Sequence, residues 1–180
     1  AIARHPGGSF SAVTNSAFTV LETNQVIAVA YDAAGNVTSR DFADGRTQTL
    51  AWDALGRMTS VVETNGAGDG YRWTAVYDAF GRRLRTVHTP LDGGTALDDD
   101  GQQVDAFFDP EVEFLEIGAS ASGPDGATRN EWKVFGPDLN GAYGGLQGIG
   151  GLEGVIDQDS GDAVGVVNDS FGTCVAWITS

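Results

Sequence analysis

The chain is poor in the side chains that carry out chemistry. Cysteine occurs once, at Cys174, so no intrachain disulfide can form and the redox compartment stays open. Histidine occurs twice, at His5 and His88, which excludes metal centres built from His and Cys. Nucleophilic catalysis is left with one pairing, Cys174 with His88. Against it stands a simpler reading, in which Cys174 opens a strand and acts as a small buried hydrophobe. The longest apolar run, Val26 to Tyr31, is far too short to span a bilayer. No stretch has the apolar period of a helix, no segment reads as a signal peptide, and both ends read as cut from a longer chain. The glycine-rich Gly145-Leu146-Gln147-Gly148-Ile149-Gly150-Gly151 is not followed by Gly-Lys-Ser/Thr, and Glu153 stands where a dinucleotide fingerprint needs glycine. A phosphate cradle is thereby excluded, and close backbone packing between strands accounts for the glycines. No cofactor is expected.

Basic residues are also scarce: ten against twenty-five acidic ones, for a net charge of −15. The imbalance is confined to one half. Residues 1–87 hold eight arginines and eight acids, whereas beyond residue 87 only Arg129 and Lys133 oppose seventeen acids. An acidic half of this kind repels nucleic acid and anionic membranes. It serves solubility, a cation site or a basic partner.

Glycine, by contrast, is abundant at 26 residues, which suits a chain with many tight turns. The turns share a phrase. Tyr31-Asp32-Ala33-Ala34-Gly35-Asn36, Trp52-Asp53-Ala54-Leu55-Gly56-Arg57, Tyr77-Asp78-Ala79-Phe80-Gly81-Arg82 and, more loosely, Asn168-Asp169-Ser170-Phe171-Gly172-Thr173 each place Gly three residues after Asp. Asp at the first position of a type I turn accepts a backbone N–H two residues on, and Gly supplies positive φ at the bulge that closes a hairpin. Asp32, Asp53, Asp78 and Asp169 therefore set turns, and Gly35, Gly56, Gly81 and Gly172 occupy left-handed positions.

Between copies, Tyr71, Trp73, Ala75 and Tyr77 alternate with Arg72, Thr74 and Val76, the period of a strand. Asp44-Gly45 and Asn65-Gly66 supply the opposite turns. In the third copy the apolar residues Leu84 and Val87 fall one position later after Gly81 than Met58 and Val61 do after Gly56, which predicts a β-bulge near Arg82-Arg83. The class is all-β: antiparallel hairpin repeats in a twisted or spiralling sheet.

Trp52-Asp53-Ala54-Leu55-Gly56-Arg57 and Tyr77-Asp78-Ala79-Phe80-Gly81-Arg82 resemble the YD repeats of bacterial rearrangement hotspot (Rhs) and wall-associated proteins, of Tc toxin subunits and of teneurins. Phe135-Gly136-Pro137-Asp138 and Gly144-Gly145-Leu146-Gln147-Gly148 look like the downstream part of such proteins. The resemblance covers residues 26–87 well and 130–177 moderately. It implies a partial YD-repeat shell, non-catalytic, that encloses or displays a neighbouring toxin polypeptide. The partners it implies are flanking repeats or that polypeptide, and the location is secreted or at the cell surface. Many members carry an Asp-Pro-x-Gly signature beside a self-cleaving site. Here Asp109-Pro110 is followed by Glu111 and Val112, so the chain looks like a fragment or a short relative.

Residues 1–25 read as a lead-in, 26–87 as the repeat region, 88–103 as an acidic loop, and 104–180 as a downstream β region with the degenerate fourth repeat. Within the last, 104–108, 111–117 and 131–135 are strand candidates, and 119–130 is a loop. Asp98-Asp99-Asp100-Gly101 lacks the first and last ligands of an EF-hand, leaving a looser calcium loop or a solvated turn. Asp157, Asp159 and Asp162 are spaced for calcium or for an acidic hairpin tip. Glu111 and Glu113 would share a strand face at a glycosidase-like separation, or simply be solvated. Trp52, Tyr71, Trp73 and Tyr77, with Tyr31, either form a platform for stacking sugar rings of cell-surface glycans or are the packing face of the sheet.

Overall fold

The computed structural model describes residues 2–4, 10–12 and 25–179. β1 (Ile2–Arg4) and β2 (Phe10–Ala12) pair with each other. The rest of the lead-in, His5 included, lies outside the described residues apart from Gln25.

Everything after that is one antiparallel sheet of 13 strands. The repeat region supplies β3 (Val26–Tyr31), β4 (Val37–Phe42), β5 (Thr47–Trp52), β6 (Met58–Thr64), β7 (Gly70–Tyr77) and β8 (Arg83–Asp92). A two-residue β9 (Thr95–Ala96) folds back on β8. β10 (Gln102–Phe108), β11 (Glu116–Ser122), β12 (Thr128–Phe135), β13 (Leu152–Asp157), β14 (Ala163–Asn168) and β15 (Cys174–Thr179) complete the sheet. Each strand lies beside its predecessor, with β10 taking its place against β8. The sheet does not close: β3 and β15 are its two edges. The all-β class and the hairpin-repeat architecture are as the sequence predicts.

A chain of hairpins joined only to its neighbours is a single layer. Among the described residues Phe42, Leu50, Ala75 and Leu115 are the buried apolar side chains. Stability therefore rests on ladder hydrogen bonds, on side-chain pairs across strands and on the turns. Because cross-strand partners share a face, the registers define two unlike surfaces. One face of the repeat half carries Phe42, Leu50, Trp52, Val61, Tyr71, Trp73 and Tyr77; the other carries Ser39, Thr47, Thr49, Ser60, Thr64 and Thr74. In the downstream half the rings change sides. Phe107 of β10 and Trp132 of β12 stack at 5.5 Å on the other face, meeting across Gly118 of β11.

Several boundaries depart from the sequence reading. The stretch 88–103 is not a loop throughout: β8 runs to Asp92, and Asp98–Asp100 forms a single 3-10 turn. Residues 111–115 form a turn rather than a strand, and 119–130 is mostly strand, because the tight turn at 123–127 needs only five residues. The turn after β6 is Asn65-x-x-Gly68, not a two-residue Asn65-Gly66 turn; Asn65 Oδ1 accepts the amides of Ala67 and Asp69. The bulge after Gly81 is present, but it is not peculiar to the third copy. Tyr31 with Val37, Trp52 with Met58, Tyr77 with Arg83 and Asn168 with Cys174 all pair just beyond a one-residue register shift. Leu84 is thus an apolar residue at a bulge that every copy has, not the sign of an insertion.

Candidate functional site

The repeated phrase builds the same object four times. Oδ1 of Asp32 accepts the amides of Ala34 and Asn36 at 2.9 and 2.8 Å, and Oδ1 of Asp53 those of Leu55 and Arg57 at 2.9 and 3.0 Å. Asp78 does the same for Phe80 and Arg82, and Asp169 for Phe171 and Thr173. Gly35, Gly56, Gly81 and Gly172 have φ between +73° and +90°. These bonds favour the charged carboxylates, so Asp32, Asp53 and Asp78 are held below the usual aspartate range. For Asp32 the Asn36 side chain contributes most, and for Asp53 the backbone amide of Arg57. For Asp78 desolvation pushes upward but is outweighed by the Arg82 side-chain and backbone bonds.

The residue after the glycine joins one repeat to the next. Arg57 Nε donates to Asp53 Oδ2 at 2.6 Å, while Nη1 donates to the backbone oxygen of Asp78 at 2.9 Å. Arg82 repeats the move, from Asp78 Oδ2 at 2.6 Å to the backbone oxygen of Glu113 at 3.0 Å. The rings answer in the opposite direction. Trp52 Nε1 donates to the oxygen of Val37 at 2.7 Å and the Tyr77 hydroxyl to that of Met58 at 2.9 Å, each one repeat back. A planar fork with several donors is what a two-directional clasp requires, which is why arginine occupies the position.

Two further copies keep only part of the phrase. Phe108-Asp109 takes the aromatic–aspartate place one hairpin after Tyr77-Asp78: Arg82 lies 4.9 Å over the Phe108 ring, and Asp109 Oδ1 accepts the amides of Glu111 and Val112. Its turn closes from Asp109 N to Leu115 O rather than over five residues, so no glycine marks it. Asp138-x-x-Gly141 closes the same backbone turn, but its carboxylate faces inward. Oδ2 accepts the amides of Leu146 and Gly148 at 2.7 and 3.0 Å, pinning the glycine-rich loop. Oδ1 is buried without a partner among the described residues.

The aromatic candidates divide. Trp52 and Tyr77 have their polar atoms committed to neighbouring repeats. Tyr71 stacks on His88 at 5.0 Å, and Arg83 lies 5.9 Å from the Trp73 ring. Trp52, Tyr71 and Trp73 line one trough of about 600 Å³ across β4–β7, with Leu50, Met58 and Val61 on its floor and Arg40 and Gln48 on its rim. Burial raises the Tyr71 phenol above its usual range, and the Glu63 charge adds to the rise. A comparable hollow of about 520 Å³ between β10 and the 123–127 turn is lined by no aromatic residue.

The calcium candidates are not brought together. Asp157 Oδ1 accepts the amides of Asp159 and Ser160, and Asp159 Oδ2 accepts that of Asn130. Among the described residues no three His, Cys, Asp or Glu side chains converge as a metal site. Cys174 is exposed rather than a buried hydrophobe, and it begins β15 while His88 lies in β8. The backbone at Glu111 and Glu113 is a turn, not a strand face; the Glu113 carbonyl receives Arg82. No helix is long and apolar enough to cross a membrane among the described residues.

Hairpins laid edge to edge and clasped through Asp-x-x-Gly-Arg turns define a YD-repeat sheet. Residues 31–68 match the RHS repeat family. No curated protein matches it in sequence. Among solved structures it is similar to a chain of the TcdB2-TccC3-Cdc42 crystal structure, with a TM-score of 0.55 and 16% identity over 83% of this chain and 7% of that one. It is similar also to a chain of a variant Tc holotoxin pore from Photorhabdus luminescens, with a TM-score of 0.50 and 16% identity over 83% of this chain and 6% of that one. At this identity the likeness is one of fold. The chain spans a small fraction of the length of these relatives.

Proposed function

We propose that the chain is a non-catalytic wall segment of a secreted or cell-surface YD-repeat shell, which encloses or displays a neighbouring polypeptide of the same parent protein. The observation that carries this reading is the clasp. Asp53, Arg57, Asp78 and Arg82 spend their charged groups on each other and on the backbone of the adjoining repeat. Residues used this way extend a sheet; they are not left over for a substrate. The two open edges, β3 and β15, accept further hairpins of the same kind.

The test is protease protection in the parent protein. The reading expects the segment beyond the repeats to resist digestion while the sheet is intact, and to become sensitive when Arg57→Gln and Arg82→Gln loosen it. A segment digested as fast in the parent as when free overturns enclosure.

A further inference from the structure

The glycine-rich loop between β12 and β13 is built around a carboxylate that the clasp does not explain. Asp138 is 4% exposed, and its Oδ2 accepts the amides of Leu146 and Gly148. Its Oδ1 is buried and accepts no hydrogen bond from a described residue. A second such oxygen lies beside it. Gly136 N donates across to Gly151 O, but the Gly151 amide turns back to the Gly148 oxygen, so no described N–H reaches the Gly136 carbonyl. Both oxygens face Gly151: an added Cβ there would run into Asp138 Oδ1 and stand 3.0 Å from the Gly136 oxygen. Two acceptors cannot bond each other, and a buried pair of them requires a positive group between them.

We infer that this loop holds a calcium ion, with Asp138 Oδ1 and the Gly136 carbonyl oxygen as its ligands at the buried end. Carboxylate and backbone carbonyl oxygens are the donors that hard cations take, and water fills the remaining positions of the shell. Charge decides between an ion and a bound water. The Glu153 carboxylate lies against the Cα of the same Gly136, which brings a second negative charge to the spot. Neither Asp138 nor Glu153 forms an ion pair among the described residues, and Lys133, a few residues before on β12, is committed to Glu116. A water brings hydrogens but no charge, whereas a divalent ion answers both carboxylates.

The ion would fasten a loop that covers part of the small core. Gly148 packs on Leu115, which is 1% exposed, and on Phe135. Gln147 Oε1 accepts the Phe114 amide while its own backbone is left-handed, at φ +58°. Asp138 thus grips the loop through Oδ2, and the ion on Oδ1 ties that grip to the end of β12.

The experiment is isothermal titration and thermal unfolding of the 180-residue chain, stripped with EDTA and then given calcium, magnesium or potassium chloride. The expected result is calcium binding, with a melting temperature raised by about 3–5 °C when free calcium is roughly tenfold above its dissociation constant. Magnesium, which demands a stricter geometry, and potassium give a smaller rise. In Asp138→Asn the side-chain oxygen still serves the Leu146 and Gly148 amides, and Nδ2 is free to donate to the Gly136 carbonyl. That variant should fold without metal and lose the calcium response. Asp99→Asn with Asp100→Asn, in the acidic 3-10 turn, should keep it. Absence of calcium binding to the parent chain overturns the proposal. So do an equal rise in Asp138→Asn, loss of the rise in the 3-10 variant, and a rise as large with magnesium or potassium. None of these outcomes touches the wall-segment reading, which rests on the clasp residues.

Discussion

Arg57 and Tyr77 hold two repeats together from both sides. The guanidinium lies 4.8 Å over the tyrosine ring, and the tyrosine hydroxyl reaches back to the carbonyl of Met58, the residue after Arg57. Both contacts run across the open end of the β6–β7 hairpin, from one Asp-x-x-Gly turn to the next. The motif is therefore a joint between units as much as a turn within one.

Arg57→Lys should cost nearly as much stability as Arg57→Gln. A lysine keeps the charge, but its single nitrogen cannot serve Asp53 Oδ2 and the Asp78 carbonyl together. Thermal melts of the two variants check this; a lysine variant that melts like the parent would show that charge alone suffices.

Gly56→Val should destabilise the chain by about 1–2 kcal/mol. The nearest atom to an added Cβ is Asn36 Oδ1 at 3.9 Å, so space is not the obstacle. The cost is the backbone, which has φ +73° at this residue, where a β-branched side chain is strained. Gly56→Asn should recover much of the loss, since asparagine tolerates that region, and chemical denaturation of both variants measures the difference.

Gly118→Val should cost about 1–3 kcal/mol for a different reason. An added Cβ falls 2.6 Å from the Trp132 ring and 2.7 Å from the Glu131 carbonyl. The strand conformation is ordinary here; the clash is with the ring that crosses the glycine to reach Phe107. Near-ultraviolet dichroism should lose the signal of that stack in step with stability.

Stability should fall on acidification through the aspartate range. Asp32, Asp53 and Asp78 have folded pKa values below the ordinary aspartate value near 3.8. The unfolded chain thus binds protons more readily, and stability rises with pH through the acid range. The contribution is complete above the unfolded value and lost as pH falls through the depressed folded values. Melting temperature measured from pH 7 down to 2 should show the decline, and Asp53→Asn should make it shallower.

The repeat architecture was legible because its turn chemistry is local. Asp53, Gly56 and the alternation from Tyr71 to Tyr77 each constrain only a few neighbours, and those constraints survive into the fold. The clasp was not legible in the same way. The sequence places Arg57 at the start of a strand, but that its fork reaches Asp78 follows only from the register of β5, β6 and β7. Phe108-Asp109 was hidden because its longer turn dispenses with glycine.

The clasp is not uniform along the sheet. Asn36 hydrogen-bonds its own Asp32 and, among the described residues, does not hydrogen-bond the following repeat as Arg57 and Arg82 do; Thr173 stands in the same place near the far edge. The arginine joints thus fall between Trp52 and Glu113, with weaker links on either side. Heated or pulled, the chain should shed its outer hairpins first and its centre last. The unclasped borders are where neighbouring segments can part without tearing the wall, as seams do in a stitched fabric.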